Sequence, residues 1–254
     1  MKINPDHLIE LALEAGSAIL EIYNKTEILI EKKADNSPLT IADKASHSII
    51  SEGLKKHYPD IPLLSEEGKN VGFGIRKDWK YFWLIDPLDG TKEFIKKNGE
   101  FTVNISLIEN KFPVAGLIYA PVLGSVYYAD NDHGAFLLLN GSKKELKVNN
   151  KKKSLIAVKS KSHSSEEEEN FLSSYDISDT ISVGSSLKFC MIAEGKADIY
   201  FRNGPTWEWD TAAGHAIVNI SGGSVRGIGA DLTYNKKSLL NSSFLATAKI
   251  SNEK

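Results

Sequence analysis

The sequence is poor in features that mark several common protein classes. Only one of its 254 residues, Cys190, is a cysteine, so no intramolecular disulfide can form, which fits a reducing compartment. No hydrophobic run approaches the roughly 20 residues needed to span a bilayer, and residues 1–16 are acidic and amphipathic, unlike a signal peptide. We therefore expect a cytoplasmic protein without a transmembrane segment.

Neither sign of charge dominates the chain. The 31 basic and 33 acidic residues give a formal net charge of -2 and a pI near 6.3. This balance offers no general attraction to nucleic acid or to an anionic membrane, so an anionic small molecule would have to be held by local groups. The GxSxG, GxxxxGK[ST] and GxGxxG motifs of other enzyme classes do not occur either.

Two patterns of predicted elements follow one another along the chain. Up to residue 150 helices precede a run of alternating strands, whereas beyond it strands and helices alternate. We therefore expect an α+β N-terminal lobe at residues 1–150 and an α/β C-terminal lobe at residues 151–254. The main predicted elements are a helix begun by Asn4 and Pro5, a helix at 39–57, a buried strand at 81–86, antiparallel strands over 101–148 and a helix at 208–221.

The stretch Asp86-Pro-Leu-Asp89-Gly90-Thr91 has the composition of a combined metal and phosphate site. Asp86 closes the predicted strand and Asp89 lies three residues on in a tight turn, so both carboxylates can converge on one point. The amides of Gly90 and Thr91 would then begin a helical turn, which is a natural seat for phosphate. The alternative is a turn in which the aspartates only bond the backbone.

Three further acids accompany this stretch. Glu66 follows another strand-like run, Asp210 begins a predicted helix, and Asp43 lies at the start of the second helix. Each has a structural explanation as well: Glu66 as a solvated loop charge, Asp210 as an acid favoured by the helix dipole, and Asp43 as part of a capping box. If they act together, a set of carboxylate oxygens without paired Cys or His favours Mg2+ over zinc.

Several stretches carry a resemblance to a known family. In order they are ADNSPLTIAD, LLSEE, WLIDPLDGTKEFIKKNGEFTVNISLI, GSSLKFCMIAEGKADIY and WDTAAGHAI, and together they span most of the chain. The sequence resembles the inositol monophosphatase superfamily of lithium-sensitive, Mg2+-dependent phosphatases, and within it the CysQ-type 3'(2'),5'-bisphosphate nucleotidases. The resemblance implies a layered αβαβα sandwich of the sugar phosphatase type.

The resemblance also implies roles for individual residues. Two or more Mg2+ ions would be held by the carboxylates of Glu66, Asp86, Asp89 and Asp210 and by the main-chain carbonyl of Leu88. The amides of Gly90 and Thr91 would hold the scissile phosphate. Asp43 would pair with the Thr91 hydroxyl to orient and activate the water that attacks phosphorus.

The implied substrate is adenosine 3',5'-bisphosphate, cleaved to AMP and phosphate, and also its sulfated analogue PAPS, in sulfur metabolism. The residues that match the nucleotidase pattern for the second phosphate and the nucleoside are His163, Ser185, Lys188 and Arg202. Surface charge is the alternative explanation for the two cations. Inositol monophosphatase or fructose 1,6-bisphosphatase specificity, or a non-catalytic nucleotide-binding module, remain the other functional hypotheses. The roles of Trp207 and Trp209 stay open, since Trp207 either stacks on adenine or only packs.

Overall fold

The computed structural model describes residues 2–24, 30–32, 38–150, 153–161 and 165–249. Within these ranges the chain forms seven helices and sixteen strands. The helices are α1 (Pro5–Tyr23), α2 (Ile41–His57), α3 (Phe73–Arg76), α4 (Thr91–Ile95), α5 (Glu166–Leu172), α6 (Leu187–Ala193) and α7 (Glu208–Ile220). The strands are β1 (Ile30–Lys32), β2 (Pro38–Thr40), β3 (Leu63–Ser65), β4 (Tyr81–Asp89), β5 (Thr102–Glu109), β6 (Phe112–Ala120), β7 (Ser125–Asp130), β8 (Gly134–Leu139), β9 (Ser142–Glu145), β10 (Leu155–Ser160), β11 (Ile177–Val183), β12 (Ile199–Arg202), β13 (Thr206–Trp207), β14 (Ser224–Gly227), β15 (Leu240–Asn241) and β16 (Phe244–Thr247).

The larger sheet contains seven strands in chain order, β3 to β9. The first pair, β3 and β4, is parallel, and each later neighbouring pair is antiparallel. The turn between β8 and β9 consists of Asn140 and Gly141, whose φ angles of 50° and 74° suit a hairpin turn that needs two positive values. The antiparallel strands predicted over 101–148 are therefore confirmed.

The smaller sheet contains five strands in the order β11, β10, β12, β16, β14. β10 runs parallel to β11 and β12, whereas β16 is antiparallel to β12 and β14. Helices α6 and α7 pack between the two sheets, α1 and α2 pack on the larger sheet, and α5 packs on β12. This arrangement confirms the expected αβαβα layers.

Alternate residues of the sheets enter different layers of the core. On β4, Phe82 and Leu84 pack in the cluster that contains α6 and α7, whereas Trp83 and Ile85 pack in the cluster that contains α1 and α2. Such a strand is covered on both faces, which explains its nearly continuous apolar sequence. Residues from both sides of position 150 share the first cluster, and the division into lobes at 1–150 and 151–254 stays a prediction.

The local signals of the first helix are confirmed. Asn4 accepts a hydrogen bond from Asp6 N at 3.0 Å, and Pro5 occupies the first helical position. The second helix begins at Ile41, two residues later than predicted. None of the helices in the described residues is long and apolar enough to cross a membrane.

Candidate active site

One pocket gathers most of the predicted site residues. It has a volume of about 380 Å³. Ten of the predicted residues line it: Glu66, Asp86, Leu88, Asp89, Gly90, Thr91, Ser185, Lys188, Arg202 and Asp210. Asp43 does not line the pocket and is buried in the first turn of α2, and His163 lies outside the described residues.

Strand pairing places Glu66 beside Asp86. β3 and β4 are parallel, and Ser65 lies opposite Ile85 in their register, so the residues that follow them emerge at the same edge of the sheet. Glu66 N donates a hydrogen bond to Ile85 O at 3.3 Å, which fixes this arrangement. Two acids distant in sequence are thereby brought together by the sheet.

A register irregularity in β4 brings Asp86 and Asp89 to the same pocket. Residues three apart on a regular strand point to opposite faces. Here the pairing with β5 shifts between Asp86, which faces Asn104, and Asp89, which faces Thr102. The expectation that the strand ends at Asp86 is therefore wrong: it continues through Pro87, and the irregularity re-aims the second carboxylate.

Gly90 permits the turn from β4 into α4. Its φ of 90° lies in the left-handed region that favours glycine. A Cβ atom at this position would lie 3.2 Å from both Glu100 O and Ser185 Cβ. Thr91 then begins α4, so the predicted pairing of a helical turn with the DPLDG segment is confirmed.

Two serines connect Asp89 to the residues beyond position 150. Ser185 Oγ and Ser186 Oγ each donate to Asp89 Oδ2 at 2.7 Å. Ser186 Oγ also lies 3.1 Å from Asp210 O and accepts from Asn104 Nδ2 at 2.9 Å. Sequence reasoning missed Ser186, although its place beside Ser185 in the GSSLK turn was a usable signal.

Asp210 lies in the first turn of α7, as predicted. Its Oδ2 accepts a hydrogen bond from Trp207 N at 2.8 Å. The helix approaches β6 so closely that a Cβ at Gly116 would lie 2.4 Å from Ala213 O. The small residues after Asp210 therefore allow the close packing that carries this acid into the pocket.

Burial and, after it, repulsion between like charges determine the electrostatics of the pocket. Burial, followed by the charges of Glu66, Asp89, Asp210 and Asp43, raises the pKa of Asp86 well above its usual value. Burial and then the charge of Asp89 raise the pKa of Asp210 in the same way. As the side chains stand, no group of three or more Asp, Glu, His or Cys side chains within the described ranges is arranged to hold a metal ion. Mutual repulsion opposes a closer approach of these carboxylates until a cation compensates it.

The two predicted cations also line the pocket. Lys188 is buried, its Nζ donates to Ser185 O at 2.5 Å, and burial lowers its pKa. Arg202 Nη1 donates to Glu168 Oε1 at 3.1 Å, and Glu168 is itself buried. Both cations are therefore held by contacts within the protein, which argues against surface charge as the explanation of either.

Sequence reasoning also missed a buried network at the start of α7. Glu208 is fully buried and accepts hydrogen bonds from Asn235 N at 2.6 Å, Lys236 N at 2.9 Å and Lys236 Nζ at 2.7 Å. Asn235 Oδ1 in turn accepts from Arg76 Nη1 at 2.7 Å. A charge between two tryptophans was the sequence signal for this site, but its partners are distant in the chain.

A sequence model of the inositol monophosphatase family matches residues 5–254. The chain belongs to the inositol monophosphatase family. The family assignment made from the sequence motifs and the expected fold are confirmed.

Relatives within the inositol monophosphatase family carry a narrower name. The chain is 45% identical to the 3'(2'),5'-bisphosphate nucleotidase CysQ of Escherichia coli K12 over 242 residues, which cover 94% of this chain and 97% of that protein. It is 46% identical to the Salmonella typhimurium protein of the same name over 245 residues, covering 95% and 98%. The crystal structure of CysQ from Bacteroides thetaiotaomicron superposes with a TM-score of 0.84 at 42% identity, covering 96% of each chain.

Proposed function

We propose that this protein is a Mg2+-dependent 3'(2'),5'-bisphosphate nucleotidase. It hydrolyses the 3'-phosphate of adenosine 3',5'-bisphosphate to AMP and phosphate, and it acts on PAPS in the same way. The observation that carries the proposal is a pocket in which all four predicted acidic metal ligands lie with two internally held cations, Lys188 and Arg202. The names of the CysQ relatives support the same substrate class.

The donor set of the pocket fits Mg2+. Carboxylate and carbonyl oxygens are its preferred protein ligands, and the repulsion that raises the pKa values of the buried acids would be relieved by divalent cations. The residues that would hold two or more ions are Glu66, Asp86, Leu88, Asp89 and Asp210. When bound, the ions supply Lewis-acid polarisation of the phosphate and a lower pKa for water.

The remaining site residues act on the phosphate and on the attacking water. The amides of Gly90 and Thr91 donate to the scissile phosphate, because main-chain N-H groups after a strand and at the start of a helical turn suit an anion. The Thr91 hydroxyl orients the attacking water towards phosphorus, accepts a proton from that water as it attacks, and passes its own proton to the Asp43 carboxylate. The charge of Asp43 raises the pKa of Asp86, which supports the closeness of Asp43 to the acids.

The residues beyond position 150 select the substrate. Lys188 and Arg202 place positive charge where a second phosphate of a bisphosphate would lie, and Ser185 and His163 complete this subsite. The lobe at 1–150 thus carries most of the residues for phosphate hydrolysis, and the lobe at 151–254 carries those for substrate selection. Asp210 is the exception, because it is a metal ligand in the second lobe. The proposed role is in sulfur metabolism in the cytoplasm, and lithium sensitivity accompanies it.

A comparison of three substrates tests the proposal. Purified protein with Mg2+ is assayed for phosphate release from adenosine 3',5'-bisphosphate, inositol 1-phosphate and fructose 1,6-bisphosphate. We expect the nucleotide to have the highest kcat/KM. A preference for either sugar phosphate would reassign the specificity within the same family, and no turnover of all three, with binding of the nucleotide, would favour a non-catalytic module.

A further inference from the structure

We infer that the indole ring of Trp207 is the platform on which the nucleobase of the substrate stacks. This inference rests on the proposed nucleotidase function and deepens it. Phosphate groups alone do not distinguish a nucleotide from another bisphosphate, so a site for the base is needed. Trp207 lines the same pocket as the acids and cations, and 41% of its surface is exposed.

One face of the Trp207 ring is taken up by a neighbouring tryptophan. This face stacks on Trp209, with ring centroids 5.2 Å apart and planes inclined by 10°. This separation and angle describe an offset stack, the favourable arrangement for two aromatic rings. A third ring could therefore add to the stack from the pocket, and every nucleobase presents a flat π face suited to it.

The platform is held in place by its main chain. Thr206 and Trp207 form β13, which pairs with β15 at Leu240 and Asn241. Trp207 N donates to Asp210 Oδ2 at 2.8 Å, and Trp207 O accepts from Asn241 Nδ2 at 2.8 Å. These contacts fix the main chain, and the stack on Trp209 restrains the ring. A restrained aromatic side chain loses little conformational freedom when a ligand binds, so more of the stacking free energy becomes affinity.

The same contacts couple the platform to the reacting groups. Because Trp207 and Asp210 are joined by a hydrogen bond, the base and the scissile phosphate are located by one structural unit. Stacking is tolerant of base identity, since it depends on the π face and not on hydrogen-bonding edges. The site should accordingly favour nucleoside bisphosphates over base-free bisphosphates while discriminating weakly among bases.

An abasic substrate isolates the contribution of the base. Adenosine 3',5'-bisphosphate and 1-deoxyribose 3,5-bisphosphate are compared with Mg2+ for the wild type, Trp207→Ala and Trp207→Phe. Replacing the ring by a methyl group keeps the main-chain N-H that bonds Asp210. We expect Trp207→Ala to lose roughly five- to a hundredfold in kcat/KM on the nucleotide, mainly through KM, and to change little on the abasic compound. Trp207→Phe should retain most of the preference.

A matched control is Phe112→Ala, since Phe112 is the first residue of β6, is 47% exposed and does not line the pocket. It should leave both substrates unchanged. Equal losses of kcat/KM for Trp207→Ala on both substrates, or no loss on either, would overturn the inference.

If the wild type turns over neither compound, the proposed function fails. Quenching of indole fluorescence by each compound then still tests whether Trp207 binds the base. Quenching by the nucleotide alone, lost in Trp207→Ala, supports it, and equal response to both compounds refutes it.

Discussion

Replacement of Glu208 by alanine should destabilise the protein through the loss of one buried acceptor. The carboxylate accepts from two main-chain N-H groups, of Asn235 and Lys236, and from the Lys236 ammonium. These contacts join the start of α7 to the segment before β15. Since Asp210 lies in the same first turn of α7 as Glu208, the same loss should also disturb the pocket.

The magnitude follows from the groups left behind. Each buried N-H that loses its acceptor costs about 1–3 kcal/mol, so the two main-chain donors account for roughly 2 kcal/mol at the lower limit. The Lys236 side chain is 29% exposed and also donates to Thr233 O and Asn241 Oδ1, so its part is nearer 1 kcal/mol than the 3–5 kcal/mol of a fully buried broken pair. We expect a loss of about 3 kcal/mol for Glu208→Ala.

Urea unfolding provides the assay, with linear extrapolation for the wild type, Glu208→Ala and Glu208→Gln. Glutamine keeps an acceptor oxygen but no charge, so it should lose about half as much as alanine. Combining Glu208→Gln with Lys236→Met should cost less than the sum of the two single changes, because each single change leaves the other group unpaired. A loss below about 1 kcal/mol for Glu208→Ala, or strict additivity of the pair, would refute this reasoning.

Three further changes probe the site and its surroundings. Thr91→Ala and Asp43→Asn should each slow turnover by orders of magnitude. Because both residues act on one water, steady-state kinetics of the double variant should show no further multiplicative loss. Independent effects of the two changes would contradict the pairing. Lys188→Ala or Arg202→Ala should lower kcat/KM about ten- to a hundredfold for adenosine 3',5'-bisphosphate and hardly at all for inositol 1-phosphate, and equal losses on both would make these cations structural. Burial lowers the pKa of His215 from 6.5 to about 4. The unfolded chain therefore binds a proton at this ring before the folded protein does, and the free energy of unfolding should fall by up to about 3 kcal/mol as the pH drops from 6.5 towards 4. Unfolding titrations should show a weaker loss over this pH range for His215→Gln, and parallel curves would contradict the assignment.

The main helices, the antiparallel strands and most of the pocket were predicted from the sequence, whereas α3 and the strands after α7 were not. Periodicity and turn residues predicted the helices and the antiparallel strands, because these signals are local. Convergence of Asp86 and Asp89 was also predicted, but its cause was not: a proline normally ends a central strand, whereas here β4 continues through Pro87 with a shifted register.

Contacts between distant residues could not be predicted in the same way. Ser186 reaches Asp89 across 97 positions, and Glu208 reaches Asn235 across 27. A serine in a turn and a glutamate at the start of a helix both have common local explanations, so neither residue indicates its partner. Only the packing of the two sheets around α6 and α7 brings these groups together.

The rate of phosphate release from adenosine 3',5'-bisphosphate by Asp210→Asn at saturating Mg2+ tests the central claim most directly. Asparagine keeps an oxygen that can accept from Trp207 N, so the start of α7 is retained while the charge is lost. We expect the wild type to release phosphate and AMP with Mg2+ and to show no turnover after the Mg2+ is chelated. The variant should have an unfolding free energy that shows it is folded, and it should release no phosphate. Full turnover by Asp210→Asn would contradict a site built from acids on both sides of residue 150.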